Sequence, residues 1–205
     1  MYFYKFPKWQ QWFYPKAIFD FYGKNSGKKN TIYLTFDDGP TPGVTNTILD
    51  ILEAYHVKAT FFCIGKKVKA YPELFQAIID GGHSIGNHGM NHVNGFKMSA
   101  TNYVDNVVEA TNYIDSKLFR PPYGKCTPKQ YRLLNELGYK IIFWSHLSYD
   151  FDSSLDAVRR FEKIKSNTKN GSIIVFHDTK LAFDKTEFKD ILEFYIQKKF
   201  MFSAL

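Results

Sequence analysis

Thr31-Ile32-Tyr33-Leu34-Thr35-Phe36-Asp37-Asp38-Gly39-Pro40 is the stretch from which the rest of the chain can be read. Thr31–Phe36 is a run of β-branched, aromatic and aliphatic residues, as a buried strand requires. It stops abruptly on two carboxylates and a Gly-Pro turn signal. Val44–Tyr55 then shows helical spacing of apolar residues. The same alternation continues outward. Ala59–Ile64, His83–Asn87, Lys140–Trp144 and Ser172–Phe176 read as strands. Val68–Asp80, Ser99–Ser116, Pro128–Leu137, Leu155–Ser166 and Thr186–Lys198 read as helices. Strands alternating with helices predict βα units and a mostly parallel sheet. Roughly six or seven units fit the length, which predicts an α/β protein built as a distorted (β/α) barrel of about seven strands, smaller than a TIM barrel. A doubly wound open sheet is the competing topology.

The 205 residues suffice for one sizeable core and are short for two domains. Aromatic residues reach 18%, so the core must be rich in rings, and some rings are available for a sugar-facing surface. The formal net charge of +7 comes from scattered lysines. No sustained basic helix carries base-stacking aromatics, so the charge is read as solubilising and specific nucleic-acid recognition is not expected. Cys63 and Cys126 are too few and too far apart for a disulfide scaffold or a thiolate zinc site, although a single bridge between them stays open.

Residues 1–30 form an aromatic leader and a polar linker, Gly23 to Asn30, ahead of a body over 31–205. The leader has no continuous apolar region before a small-residue cleavage site, so it does not read as a normal signal peptide. No run reaches the length of a membrane-spanning helix. Trp9, Trp12, Phe13 and Tyr14, with nearby lysines, could make peripheral membrane contact through residues 1–20. Pro7 and Pro15 interrupt any helical stripe there, which favours packing across the domain. Location is left between cytoplasmic and membrane-peripheral, with action on the cell envelope open.

Four constellations carry chemistry. Asp37 and Asp38 are adjacent carboxylates after an apolar strand; their mutual repulsion needs a compensating cation if both are ionised. His88 and His92, four residues apart, can converge from one helical turn or a tight loop, and with a carboxylate they make a two-His, one-carboxylate metal triad. Arg120 precedes Pro121-Pro122-Tyr123-Gly124; it can clamp a carboxylate, and the prolines stiffen the backbone that carries Tyr123. Ile173–Phe176 ends on His177-Asp178, where a histidine at a strand end in a cleft suits a general acid. Each has a bland alternative: a polar turn, surface histidines, a solvated arginine and a satisfied core histidine. His83 is read as packing along its strand.

Taken in order, TFDDGP (35–40), HGMNH (88–92), RPPYG (120–124) and a strand ending in FHD (176–178) resemble the polysaccharide deacetylase family, also called the NodB homology domain or carbohydrate esterase family 4. The resemblance runs from about Thr31 to the C-terminus. It implies Asp37 as general base, and Asp38, His88 and His92 as ligands of one divalent metal. Zinc is the expected ion, with cobalt or nickel compatible. It further implies that Arg120 orients Asp37, that the Tyr123 N–H serves the oxyanion, and that His177 is the general acid, oriented by Asp150. Gly89 replaces the hydroxyl residue usual in the second motif. Leu147-Ser148-Tyr149-Asp150-Phe151 keeps only the second Asp of the fourth, with Phe151 in place of Trp as an apolar wall. Val175 stands where Leu is usual in the fifth.

The expected reaction is hydrolysis of N-acetyl groups on glycans containing N-acetylglucosamine, such as peptidoglycan or chitin oligomers. An amide is a poor electrophile with a poor leaving group. A metal that polarises the carbonyl, a base for water and an acid for nitrogen answer both problems. An O-acetyl esterase using the same site and a catalytically weak glycan-binding module are the rival readings.

Overall fold

A computed structural model describes residues 7–22 and 30–205. The first six residues and most of the polar linker lie outside them. In chain order the elements are α1 (Lys8–Gln11), β1 (Thr31–Asp37), α2 (Val44–Ala54), β2 (Thr60–Cys63), α3 (Gly65–Ala70), α4 (Pro72–Asp80), β3 (Ser84–Asn87), α5 (Ala100–Glu109), β4 (Leu118–Phe119), α6 (Pro128–Glu136), β5 (Lys140–Ile141), β6 (His146–Leu147), α7 (Ala157–Asn167), β7 (Ile173–His177), α8 (Lys185–Gln197) and β8 (Met201–Phe202).

Every strand pairing is parallel, in the order β5-β4-β3-β2-β1-β7-β6, with β8 added beside the start of β1. The connection between the two outermost strands shows that this sheet is curled. β5 ends at Ile141 and β6 begins at His146, yet they stand at opposite ends of the order. Five Cα steps reach at most about 18 Å. Six inter-strand spacings in a flat sheet need about 29 Å. The sheet therefore bends until its edges approach. Ile18 enters at this seam: its N–H donates to Ile141 O at 2.9 Å, and its carbonyl accepts from Phe143 N at 2.8 Å.

The central strands are apolar because both faces are covered. All seven residues of β1 are buried. One face packs against α2, α4 and α8 through Ile48, Leu52, Phe75, Ile78, Ile191 and Tyr195. The barrel interior holds Tyr33, Phe62, Phe119, Phe143 and Val175, joined by Tyr14 and Phe19 from the leader. Phe19 stacks on Phe143 with ring centroids 5.0 Å apart. Tyr14 packs edge-on against Tyr131, and its hydroxyl donates to the Cys126 carbonyl.

Some element boundaries differ from the sequence reading. The stretch 68–80 is two helices, broken at Tyr71 (φ −133°, ψ 59°), because the residue before Pro72 resists the helical region. The helix expected over 99–116 ends as an α-helix at Glu109 and tightens into a 3₁₀ turn over Ala110–Asn112. Of 140–144, only Lys140 and Ile141 pair with β4, since the chain then crosses the seam. Both cysteines are free and buried. His83 half-packs against Phe61 and accepts a hydrogen bond from Ala59 N at 3.2 Å; burial lowers its pKa to about 4.

Candidate metal centre and active site

The carboxyl ends of β1, β3 and β7 point into one cavity of about 390 Å³, lined among others by Asp37, Asp38, His88, His92, Tyr123, Phe151 and His177. The two adjacent carboxylates reach it because the strand ends between them. Asp37 keeps strand pairing, whereas Asp38 adopts the left-handed region at φ 74°. The chain then turns through Gly39, where a Cβ would lie 2.2 Å from Asp178 Oδ2. Only glycine permits that approach.

Asp38, His88 and His92 each offer a ligand atom, all within 4.8 Å of one another. The histidines converge from a loop rather than a helix. Gly89 has φ 77° and His92 has φ 52°. The glycine that departs from the usual motif thus occupies a backbone conformation that favours glycine. The His88 Nδ1 lies 2.7 Å from the Arg120 carbonyl and donates to it, which leaves Nε2 with its lone pair facing the cavity. That lone pair lies 3.4 Å from Asp38 Oδ1, and His92 Nε2 lies 3.0 Å from the same oxygen. Oδ1 is buried and no hydrogen bond satisfies it. A lone pair set against a carboxylate oxygen is repulsive, and a cation among the three atoms removes the conflict. The donor set fits a divalent metal on this ground.

Asp37 is held from behind. Arg120 is fully buried and donates through Nη1 to Asp37 Oδ1 and to Thr35 Oγ1, each at 2.7 Å. Nε and Nη2 reach the Ile142 and Phe143 carbonyls at 3.3 and 3.1 Å. The guanidinium lies 4.1 Å from the Phe62 ring centroid. Its donors converge on one orientation, so it cannot follow Asp37 if that side chain moves.

His177 sits directly across from Asp37 in the register of β7 and β1. Asp150 holds it at two points: Oδ1 accepts from the ring Nδ1 and Oδ2 from the backbone N–H, both at 2.7 Å. Nε2 is the ring nitrogen left for chemistry. Burial opposes charge on this imidazole. The Asp150 charge and hydrogen bond, with Asp37 and Asp38 further off, outweigh burial and raise its pKa to about 9. Phe151 packs edge-on against the ring at 4.9 Å.

Tyr123 lies beside His92, with ring centroids 4.6 Å apart, and has φ 60°. Of the seven non-glycine residues with positive φ among the described residues, Asp38, His92, Tyr123 and Tyr149 belong to this cavity or its rim. Strained backbone gathers where side chains must be aimed. Val175 sits apart, fully buried in the barrel interior and not lining the cavity. Asp178 turns away to accept from Thr45 Oγ1 at 2.5 Å, and burial raises its pKa to about 7. Sequence reading missed Lys125 and Trp144, which complete the cavity wall. Lys125 follows the Arg-Pro-Pro-Tyr-Gly turn directly. Trp144 looked like the end of a strand, and only the seam places it on the cavity.

The model of the family described as polysaccharide deacetylase matches residues 24–142. A peptidoglycan-N-acetylglucosamine deacetylase of Bacillus cereus is 33% identical over 153 residues, covering 72% of each chain. A chitooligosaccharide deacetylase of Azorhizobium caulinodans is 31% identical, covering 73% of this chain and 74% of its own. The crystal structure of a peptidoglycan N-acetylglucosamine deacetylase bound to a naphthalenyl N-hydroxybenzamide superposes with a TM-score of 0.83 at 28% identity, covering 93% and 91% of the two chains. The match of fold, motif order and relatives leaves one conclusion: this chain belongs to the polysaccharide deacetylase family.

Proposed function

We propose that the protein is a metal-dependent hydrolase removing N-acetyl groups from glycans that contain N-acetylglucosamine, with peptidoglycan and chitin oligomers as the first candidates. The observation that carries this is a pair of neighbouring, separately held groups. Asp37, fixed by Arg120, and His177, fixed by Asp150, are register partners on β1 and β7 and line one cavity with the Asp38, His88 and His92 cluster. Base and acid with different charge states at one pH are what amide hydrolysis needs.

Asp38, His88 and His92 are the residues that would hold a divalent ion. Zinc suits two imidazoles and a carboxylate, and cobalt or nickel fit the same donors. When bound, the ion polarises the acetyl carbonyl and acidifies water. Asp37 accepts a proton from the attacking water as the new C–O bond forms. Arg120, donating to Asp37 Oδ1 at 2.7 Å, keeps that carboxylate aimed. The Tyr123 N–H stabilises the developing oxyanion. As the C–N bond breaks, His177 gives its Nε2 proton to nitrogen, and acetate and the free amine leave. Phe151 forms the apolar wall for the acetyl methyl. The raised pKa of His177 favours an amide over an ester, because an amine leaves only when protonated.

The catalytic body is taken as 31–205, with 1–30 as its leader. No described helix is long and apolar enough to cross a membrane. Substrates of this class point to action at the cell envelope.

The test is acetate release from chitooligosaccharides and from peptidoglycan, with metal stripped and then restored. Release that follows the metal supports the proposal. Silence on every glycan and acetyl ester, with zinc or cobalt present, sinks it in favour of a binding module. Release from esters alone favours the O-acetyl esterase.

A further inference from the structure

A second and larger cavity, about 640 Å³, adjoins the catalytic one. Tyr123, Gly124, Lys125, Trp144 and Leu147 line both, so the two are parts of one continuous groove. Trp9 and Phe13 of the leader line it, together with Phe96. These rings are open to solvent: Trp9 is 67% exposed, Phe13 54% and Phe96 61%. Aromatic surface concentrated in a groove marks a binding site more often than chance exposure does.

The wall is braced. Tyr14 follows Phe13 and is buried, with its ring against Tyr131 and Phe143 and its hydroxyl on the Cys126 carbonyl. The Tyr14 N–H donates to Gln11 O at 2.9 Å, and Lys16 N donates to the Tyr131 hydroxyl at 2.7 Å. Ile18 is stitched into the barrel seam. The leader rings are thus presented by backbone that is already anchored, which lowers the ordering cost of binding.

We propose that this leader-lined groove is a second sugar subsite, seating the pyranose ring next to the one being deacetylated, with Trp9 and Phe13 as residues that select for chain length. The inference rests on the glycan deacetylase reading above. The occupant follows from continuity and chemistry. Whatever fills the outer groove is attached to, or abuts, the group in the catalytic cavity. Among the described lining residues only Lys125 is charged, at the junction, and the described rings of the outer wall suit a neutral ring. The C–H faces of a pyranose carry partial positive charge and stack on the negative faces of aromatic rings.

The experiment compares the full chain with Trp9→Ala and Phe13→Ala by calorimetry, using N-acetylglucosamine and its β-1,4-linked tetramer, alongside acetate release. Both rings are solvent-exposed, and unchanged thermal unfolding checks that the variants are intact. The expected result is that each variant binds the tetramer about tenfold more weakly, the equivalent of losing one aromatic stacking contact, while monomer affinity barely moves. Tetramer affinity unchanged in both variants would overturn the proposal, as would an equal loss for monomer and tetramer. Binding to anionic phospholipid vesicles is the control. If the variants lose vesicle binding and keep tetramer affinity, the groove serves a membrane surface and the subsite is wrong. If the wild type binds the tetramer through Trp9 and Phe13 yet releases no acetate with metal restored, the subsite stands and the deacetylase reading falls.

Discussion

Asp37 and Asp38 are chain neighbours with different surroundings, and that difference carries the chemistry. Asp37 faces a buried guanidinium, and Asp38 faces two imidazole nitrogens. The sequence motif named both carboxylates, but only the φ of 74° at Asp38 explains how consecutive residues of a pleated strand share a cavity. A second such division is between His177 and Asp150. The raised pKa of His177 keeps its proton through neutral pH and loses it as pH rises through about 9. Asp150→Asn removes the main opposing charge while burial remains, so the histidine must titrate lower. The alkaline limb of kcat/KM is expected to move below about pH 7, with activity at pH 8 down by more than about tenfold and bound metal unchanged. A pH profile with its alkaline limb unmoved would show that Asp150 does not set the acid.

At the scale of elements, β1, β2 and β7 were legible because each is a central strand buried on both faces, and such strands read as unbroken apolar runs. β4, β6 and β8 are two residues each, too short for periodicity to register, whereas β5 was read from the apolar run over 140–144 and extended too far. The break at Tyr71 was available from Pro72 but was overridden by the apolar spacing around it. The site motifs were legible for a different reason: they cluster in the turns after strands, where residue type is set by chemistry rather than by packing. What they did not reveal is the tight fit behind them, as at Gly39, whose missing Cβ makes room for the Asp178 carboxylate. Gly39→Ala is expected to cost about 1–3 kcal/mol in urea unfolding, through overpacking and displacement of Asp178. A midpoint equal to wild type would mean the β1 turn is looser than its contacts indicate.

At the scale of the molecule, the aromatic excess was visible in the composition, but which rings face inward was not. The leader divides between the two roles: Phe19 is buried on Phe143, whereas Trp12 is 90% exposed. Barrel curvature explains the division, since the seam between β5 and β6 needs Ile18 and its neighbours to fill it. Phe19→Ala should destabilise by about 3 kcal/mol or more by leaving a cavity, and Trp12→Ala by less than about 0.5 kcal/mol. Equal effects in thermal unfolding would mean the leader is not part of the packed body. The net charge of +7 found no concentrated patch in the sequence and belongs to the surface as a whole.

One of the two adjacent carboxylates, Asp38, is assigned to metal binding, and the other, Asp37, to moving a proton. Metal content after dialysis, measured together with acetate release for Asp37→Asn and Asp38→Ala, tests this assignment most directly. Asp37→Asn is expected to keep its metal and lose turnover, while Asp38→Ala loses both. Loss of metal from Asp37→Asn, or its retention by Asp38→Ala, would contradict it.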